Sequence, residues 1–280
     1  MANRSLKYFH YGKYHLEKVG HEYANYIKSG NLLKNGPWSV MDIGCGSGRV
    51  LQEVLIPLLK PSISEIVGID MDSNMIEFCR SKNQNPMVSF HTMNITDEKI
   101  PLYLQNRFDV LFSSYCFSHV RNLRLGFENC SKLLKKNGEL FFIFQYKTHA
   151  LYTTYKKMSG IYKWKLFTKE YNSFAPHFIG AEPEVELKSI IKDAGLTPLH
   201  HKFEPDFCID LTKRQLLGIY ESLDAKIDEL PEDLQKDYRR DFLEIMSEVT
   251  NVDFVDQDSL DESIKFNVPT VCLHVKNIDL

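Results

Sequence analysis

One stretch of the chain gathers residues able to hold an organic cofactor: Met41-Asp42-Ile43-Gly44-Cys45-Gly46-Ser47-Gly48. Glycine at every second position leaves the backbone bare, so a ligand can lie where a Cβ would otherwise stand. A helix starting near Gly48 would offer unpaired N–H groups to a carboxylate such as that of a methionine moiety. A second acid follows in Gly68-Ile69-Asp70, roughly 20 residues further on, and its two oxygens suit the adjacent hydroxyls of a ribose. A nicotinamide dinucleotide calls for Gly-x-Gly-x-x-Gly. Here the spacing is tighter and Arg49 follows Gly48, which argues against that cofactor. The plainer alternatives are an ordinary strand-to-helix turn for the glycines and a helix N-cap for Asp70.

To act together these residues need strands that end on one edge of a sheet, and the first half of the chain supplies them. Apolar, β-branched segments alternate with helical ones, the pattern of a parallel sheet wrapped by helices. Strands are expected at Ser39 to Ile43, Glu65 to Ile69, Val88 to Met93, Phe108 to Ser113 and Glu139 to Phe144. Helices are expected at Gly48 to Leu59, Ser73 to Lys82 and Leu123 to Lys136, the last stopped by Asn137-Gly138. An aromatic and basic stretch, Tyr146 to Phe178, then reads as an insertion holding Tyr152, Tyr155, Tyr162, Trp164, Phe167, Tyr171 and Phe174. Beyond it the sequence predicts a helix over Glu182 to Ala194 and a strand over Pro198 to Ile209. A helical block follows from Thr212 to Val249, broken at Pro231, and then a closing strand from Glu262 to Lys276.

Composition narrows the partners. With 280 residues and 43% hydrophobic content the chain can bury a sizeable core. A net charge of −3 without long runs of one sign gives no footprint for nucleic acid. No apolar run approaches the roughly 20 residues of a membrane span, and the N-terminus lacks the apolar region of a signal peptide. Six scattered cysteines, without a Cys-x-x-Cys pair or metal-ligand spacing, read as reduced thiols of a cytoplasmic protein.

The leading Asp42, the tight glycine spacing and Asp70 together resemble the fingerprint of class I S-adenosylmethionine-dependent methyltransferases. The resemblance implies a single α/β domain over 1–280, a Rossmann-like seven-stranded sheet with helical cap insertions. Its parts would be an N-terminal helix at 1–36, a cofactor-binding core at 37–146, and caps at about 147–181 and 211–252. The cofactor would be S-adenosyl-L-methionine, the product S-adenosyl-L-homocysteine, with no metal. Asp42, Gly44, Cys45, Gly46 and Gly48 would cradle it, Asp70 would bind the ribose, and Met71 would pack on the adenine. Asn94 and Ile95 would face the adenine, Asn94 standing where such enzymes usually carry an acid; its side-chain oxygen can still accept a hydrogen bond. Ser113, with Ser114 and Tyr115, would lie near the methionine end.

The rest of the chain resembles insect juvenile hormone acid O-methyltransferases through Phe108-Asp-Val-Leu-Phe-Ser-Ser-Tyr, Phe127-Glu-Asn, the Pro176 to Glu186 neighbourhood and Glu262-Ser-Ile-Lys-Phe-Asn267. Such enzymes methylate a sesquiterpenoid carboxylate in a deep apolar pocket. The family usually reads His-Trp after the fourth strand, where this chain has Ser118-His119, and the stretch Tyr11 to Leu16 lacks the family's N-terminal glutamine. A carboxylic acid is ionised at neutral pH, whereas a phenol, with a pKa near 10, needs a base. His119 in place of tryptophan therefore favours a small phenolic acceptor with His119 as base and His15 as the second candidate. Tyr11, Tyr14, Tyr115, His119 and Trp164 would contact the acceptor. The rival readings are retained methylation of a sesquiterpenoid acid, and a non-catalytic protein that sequesters a hydrophobic ligand.

Overall fold

The structure, a computed structural model, describes residues 2–29, 36–60, 62–166, 179–223, 227, 230–253 and 259–278, without the side chains of 2–4, 13, 14, 29 and 223. In chain order the elements are α1 (Ala2–Tyr11), α2 (Leu16–Ser29), β1 (Trp38–Ile43), α3 (Ile56–Leu59), β2 (Ile63–Asp70), α4 (Ser73–Lys82), β3 (Val88–Thr92), β4 (Phe108–Ser114), α5 (Leu123–Leu133) and β5 (Leu134–Gln145). They continue with α6 (Ala150–Gly160), α7 (Pro183–Asp193), β6 (Thr197–Glu204), β7 (Cys208–Thr212), α8 (Lys213–Leu223), α9 (Glu232–Thr250), β8 (Ser263–Asn267) and β9 (Thr270–Lys276). These form two compact units, one of His15–Tyr146, His177–Phe203 and Thr270–Leu280, the other of Met1–Tyr14, Lys147–Pro176 and Glu204–Pro269.

The first unit is built on a seven-stranded sheet in the order β3-β2-β1-β4-β5-β9-β6. Strands β1 to β5 pair in parallel, and β9 runs antiparallel to β5. Side chains alternate between two buried faces, as strands covered on both sides must. Met41, Ile43, Val67, Ile69, Leu111, Phe142 and Phe144 pack on one face with Phe127 of α5 and Ile191 of α7. Val40, Ile66, Val110, Phe112, Phe141 and Ile143 pack on the other with Val19, Tyr23 and Tyr26 of α2. Strand order reverses at β1, whose neighbours β2 and β4 lead off in opposite directions. That switch point is where open α/β sheets take their ligands.

The second unit packs α1, α6, α8 and α9 with the antiparallel pair β7 and β8. Its core holds Tyr155, Met158, Trp164, Tyr220, Tyr238, Phe242, Met246 and Ile264. The Tyr220 and Tyr238 hydroxyls bond each other. No helix among the described residues is long and apolar enough to cross a membrane.

Four expectations are corrected. The N-terminal helix expected over 1–36 is two helices, separated by a 3₁₀ turn at Gly12–His15 where glycine lowers helix propensity. Helix α5 ends at Leu133, and Asn137-Gly138 lies inside β5. There Asn137 has φ +63°, its N–H bonds Asn277 O, and the register slips between Phe108 and Val110. The strand expected over Pro198 to Ile209 is β6 and β7, which belong to different sheets and are parted at Pro205-Asp206. The closing strand likewise divides at Val268-Pro269 into β8, paired with β7, and β9, inserted beside β5.

Candidate cofactor and acceptor site

The glycine loop leaves β1 with φ of +70° at Gly44, +53° at Gly46 and +74° at Gly48, a region that side chains disfavour. The N–H groups of Gly44 and Cys45 both donate to Ile69 O, at 2.8 and 2.9 Å, tying the loop to the end of β2. At Gly44 the space is closed by the protein itself: a Cβ there would stand 2.3 Å from Cβ and Sγ of Cys116. A Cβ on Gly48 would meet Cys79 Sγ at 3.0 Å. Cys79 also donates to Gly46 O at 3.2 Å. Two of the three glycines are thus required by neighbouring side chains.

Asp70 caps the arrangement from β2. Its Oδ2 accepts from Gly46 N at 2.9 Å and its Oδ1 from Asp72 N at 2.9 Å. Each oxygen keeps a second acceptor site, so the carboxylate can bind two further donors. Burial raises its pKa, and the backbone bonds from Asp72 and Gly46 oppose that shift. The N-cap of α4 is Asp72, which accepts from Asn74 N, so the capping role belongs to the neighbouring acid. Asp42, on the same sheet face, is 1% exposed, and its Oδ2 has no hydrogen-bond partner among the described residues. Burial and then the Asp70 charge raise its pKa to about 7.

Met71 is 71% exposed, an apolar side chain standing open beside Asp70. Cys45 is buried, and Ile95 packs in the core. Asn94 Oδ1 already accepts from Thr96 N at 3.0 Å and Thr96 Oγ1 at 2.9 Å, so both its acceptor positions are taken and its amide NH₂ is the group left to face a ligand. Ser113 Oγ donates to Ile43 O at 2.8 Å, joining the ends of β4 and β1.

Where β4 ends, Tyr115 adopts φ +61°, a strained conformation for a bulky residue. Its ring lies 4.8 Å from that of His15. His15 is buried, and burial followed by the Arg49 charge lowers its pKa to about 4. Tyr23 Oη and Ser114 Oγ bond each other at 2.7 Å close by. His119 closes a short 3₁₀ turn, Phe117–His119, with its side chain exposed, while Ser118 is buried and its Oγ accepts from Gln145 N at 2.9 Å. In the second unit Trp164 is 0% exposed, with its indole N–H on Asp241 Oδ2 at 2.8 Å. This is a packing role. Tyr11 lies flat on Gly218 of α8, where a Cβ would come within 2.3 Å of its Cγ. The Tyr14 side chain lies outside the described residues, as do Phe167, Tyr171 and Phe174.

Residues 41–142, which run from within β1 to within β5 and include the glycine loop and Asp70, match the family of methyltransferase domains. The chain carries a methyltransferase domain on a class I fold. It is similar to the juvenile hormone acid O-methyltransferases of Drosophila melanogaster (27% identical, covering 76% of this chain and 72% of the relative) and of Bombyx mori (24%, covering 92% and 91%). The solved structure of the YcgJ protein of Bacillus subtilis shares the fold, at 14% identity over 93% of this chain and 99% of that one, with a TM-score of 0.59.

In this domain several residues that shape the site were not singled out from the sequence. Cys116 and Cys79 press on the glycine loop, and buried Asn129 donates to Ile95 O and Asp97 O, both at 2.8 Å. For Asn129 the signal was available in Phe127-Glu-Asn. The cysteines act across distant segments, and nothing local announces that.

Proposed function

We propose that the protein transfers the methyl group of S-adenosylmethionine to a carboxylate oxygen of a small, largely apolar acid. The observation that carries the choice of acceptor is the state of the two histidines. A phenol near pKa 10 needs a base of matched strength. His15, held neutral with its pKa lowered to about 4, is a poor one, and His119 is exposed. A carboxylate, already ionised, asks only for position and desolvation. The two relatives named for an acid substrate support the same reading.

The residues present fit the cofactor. Asp70 would take the ribose hydroxyls on its remaining acceptor sites. Asp42, with an enclosed oxygen lacking a donor, would answer the cofactor's positive charge. Met71 would cover the adenine, and Asn94 would turn its NH₂ to the ring. When bound, the cofactor supplies a methyl activated by its sulfonium, so the chain's task is to hold the acceptor oxygen in line, at roughly 3–3.5 Å, and to exclude water. A phenolic acceptor with His119 as base is the second reading, supported by histidine at a position where the resembling enzymes carry tryptophan.

Labelled S-adenosylmethionine offered with a panel of apolar acids and phenols separates the two. Acid methylation is expected to give an alkali-labile ester, to stay flat from about pH 6 to 9 at saturating S-adenosylmethionine, and to survive His119→Ala within threefold. An alkali-stable ether, with rate rising through a histidine titration and falling about 10²–10⁴-fold in His119→Ala, would replace the acid by the phenol.

A further inference from the structure

Gln145 ends β5 on the carboxyl-terminal edge of the sheet, and it is 4% exposed. Its face follows from the alternation along β5. Phe142, Phe144 and Tyr146 enter the core beneath α5 and α7, while Phe141 and Ile143 pack toward α2. Gln145 therefore projects to the α2 side. Asp42 and Asp70 project to that side too, because Met41 and Ile43, and likewise Val67 and Ile69, take the other. The end of β5 is anchored twice: Gln145 N–H donates to Ser118 Oγ at 2.9 Å, and Tyr115 N–H to Ile143 O at 2.6 Å. Gln145 Oε1 is fully enclosed yet has no hydrogen-bond partner among the described residues.

An enclosed carbonyl oxygen without a donor costs free energy that a ligand donor would recover. We infer that Gln145 is a specificity-determining residue whose Oε1 accepts a hydrogen bond from a hydroxyl of the methyl acceptor. The substrate class is then an apolar acid that also carries a hydroxyl, a narrower class than the acid reading on which this inference rests. An acceptor-only group such as a ketone leaves Oε1 unsatisfied, and a site built around a substrate hydroxyl discriminates against analogues without one.

Dodecanoic acid, its hydroxylated derivatives and their keto counterparts at matched positions test this, both by ester formation and by calorimetric binding in the presence of S-adenosylhomocysteine. At least one hydroxy acid is expected to bind and react about tenfold or more better than its keto and unsubstituted partners, the ratio of one hydrogen bond. Gln145→Met keeps the backbone bond to Ser118 but removes the acceptor, and should shrink that preference to within threefold. Gln145→Glu keeps an acceptor oxygen and should retain it. Keto acids bound as well as hydroxy acids, or a hydroxyl preference that persists in Gln145→Met, overturns the inference. A Gln145-dependent binding preference without ester formation keeps the role of Gln145 and faults the acid reading, while absence of binding by every acid overturns both.

Discussion

Asp42 and Asp70 set two carboxylates on one sheet face, and the deeper one carries the cost. The pKa of Asp42 lies at about 7 in the folded protein, above its ordinary value of 3.8. The native state therefore holds this proton more tightly than the unfolded chain does. The stability this contributes is fully present below the ordinary value and is lost as pH rises through about 7. Asp42→Asn, which cannot ionise, should leave the cofactor-free melting temperature nearly unchanged at pH 4.5 and raise it by roughly 5 °C at pH 8. The same variant should bind S-adenosylmethionine more weakly at pH 8, because it has lost the charge that the cofactor's cation would meet. Thermal scans at the two pH values decide the first half; an equal offset at both would mean that Asp42 does not titrate between them.

At the scale of elements, the turn from β1 toward α3 is held by contacts the local sequence does not reveal. Gly44→Ala must place a Cβ at φ +70° and against Cys116, costs of about 1–2 and 1–3 kcal/mol. The double variant with Cys116→Ala should recover little, since the Cβ of Cys116 is itself in the overlap. Cys116→Gly should recover about half, leaving the backbone term. Urea denaturation of the three proteins measures this, and full recovery by Cys116→Ala would place the conflict at the sulfur alone. The same contrast explains what could be read from sequence. The glycine spacing, Asp70 and strands β1 to β4 were legible because they are local patterns. Three boundaries were not. Asn137 does take a positive φ, but a buried Leu134 had already begun β5, which runs through it. The alternation of Ile264, Phe266 and Val268 resumes one residue out of phase at Val271, a shift at Pro269 that marks where the chain passes from one sheet to the other. Pro205-Asp206 was a turn signal outweighed by the apolar pattern around it.

At the scale of the whole molecule, the chain builds each unit from three separate stretches, so contacts between distant segments decide each unit's integrity. In the second unit α1 reaches α8 through Tyr11 on Gly218. Glycine to alanine in a helix ordinarily stabilises by about 1 kcal/mol. Here the added methyl would overlap the tyrosine ring, and the overlap should prevail, leaving Gly218→Ala roughly 1–2 kcal/mol less stable. Hydrogen exchange should then show lost protection in α1 and α8 while β1 and β4 keep theirs, with Tyr11→Ala restoring α8. Uniform loss across both units would instead make them a single cooperative block. The sheet order has a consequence for synthesis. β9 lies between β5 and β6, yet it is translated after both. At about 5–20 residues per second the ribosome leaves β5 with an open edge for roughly 6–25 seconds while residues 146–269 are made. That edge carries Phe141, Phe142, Ile143 and Phe144, an apolar template open to mispairing in the nascent chain until Thr270–Lys276 arrives to cover it.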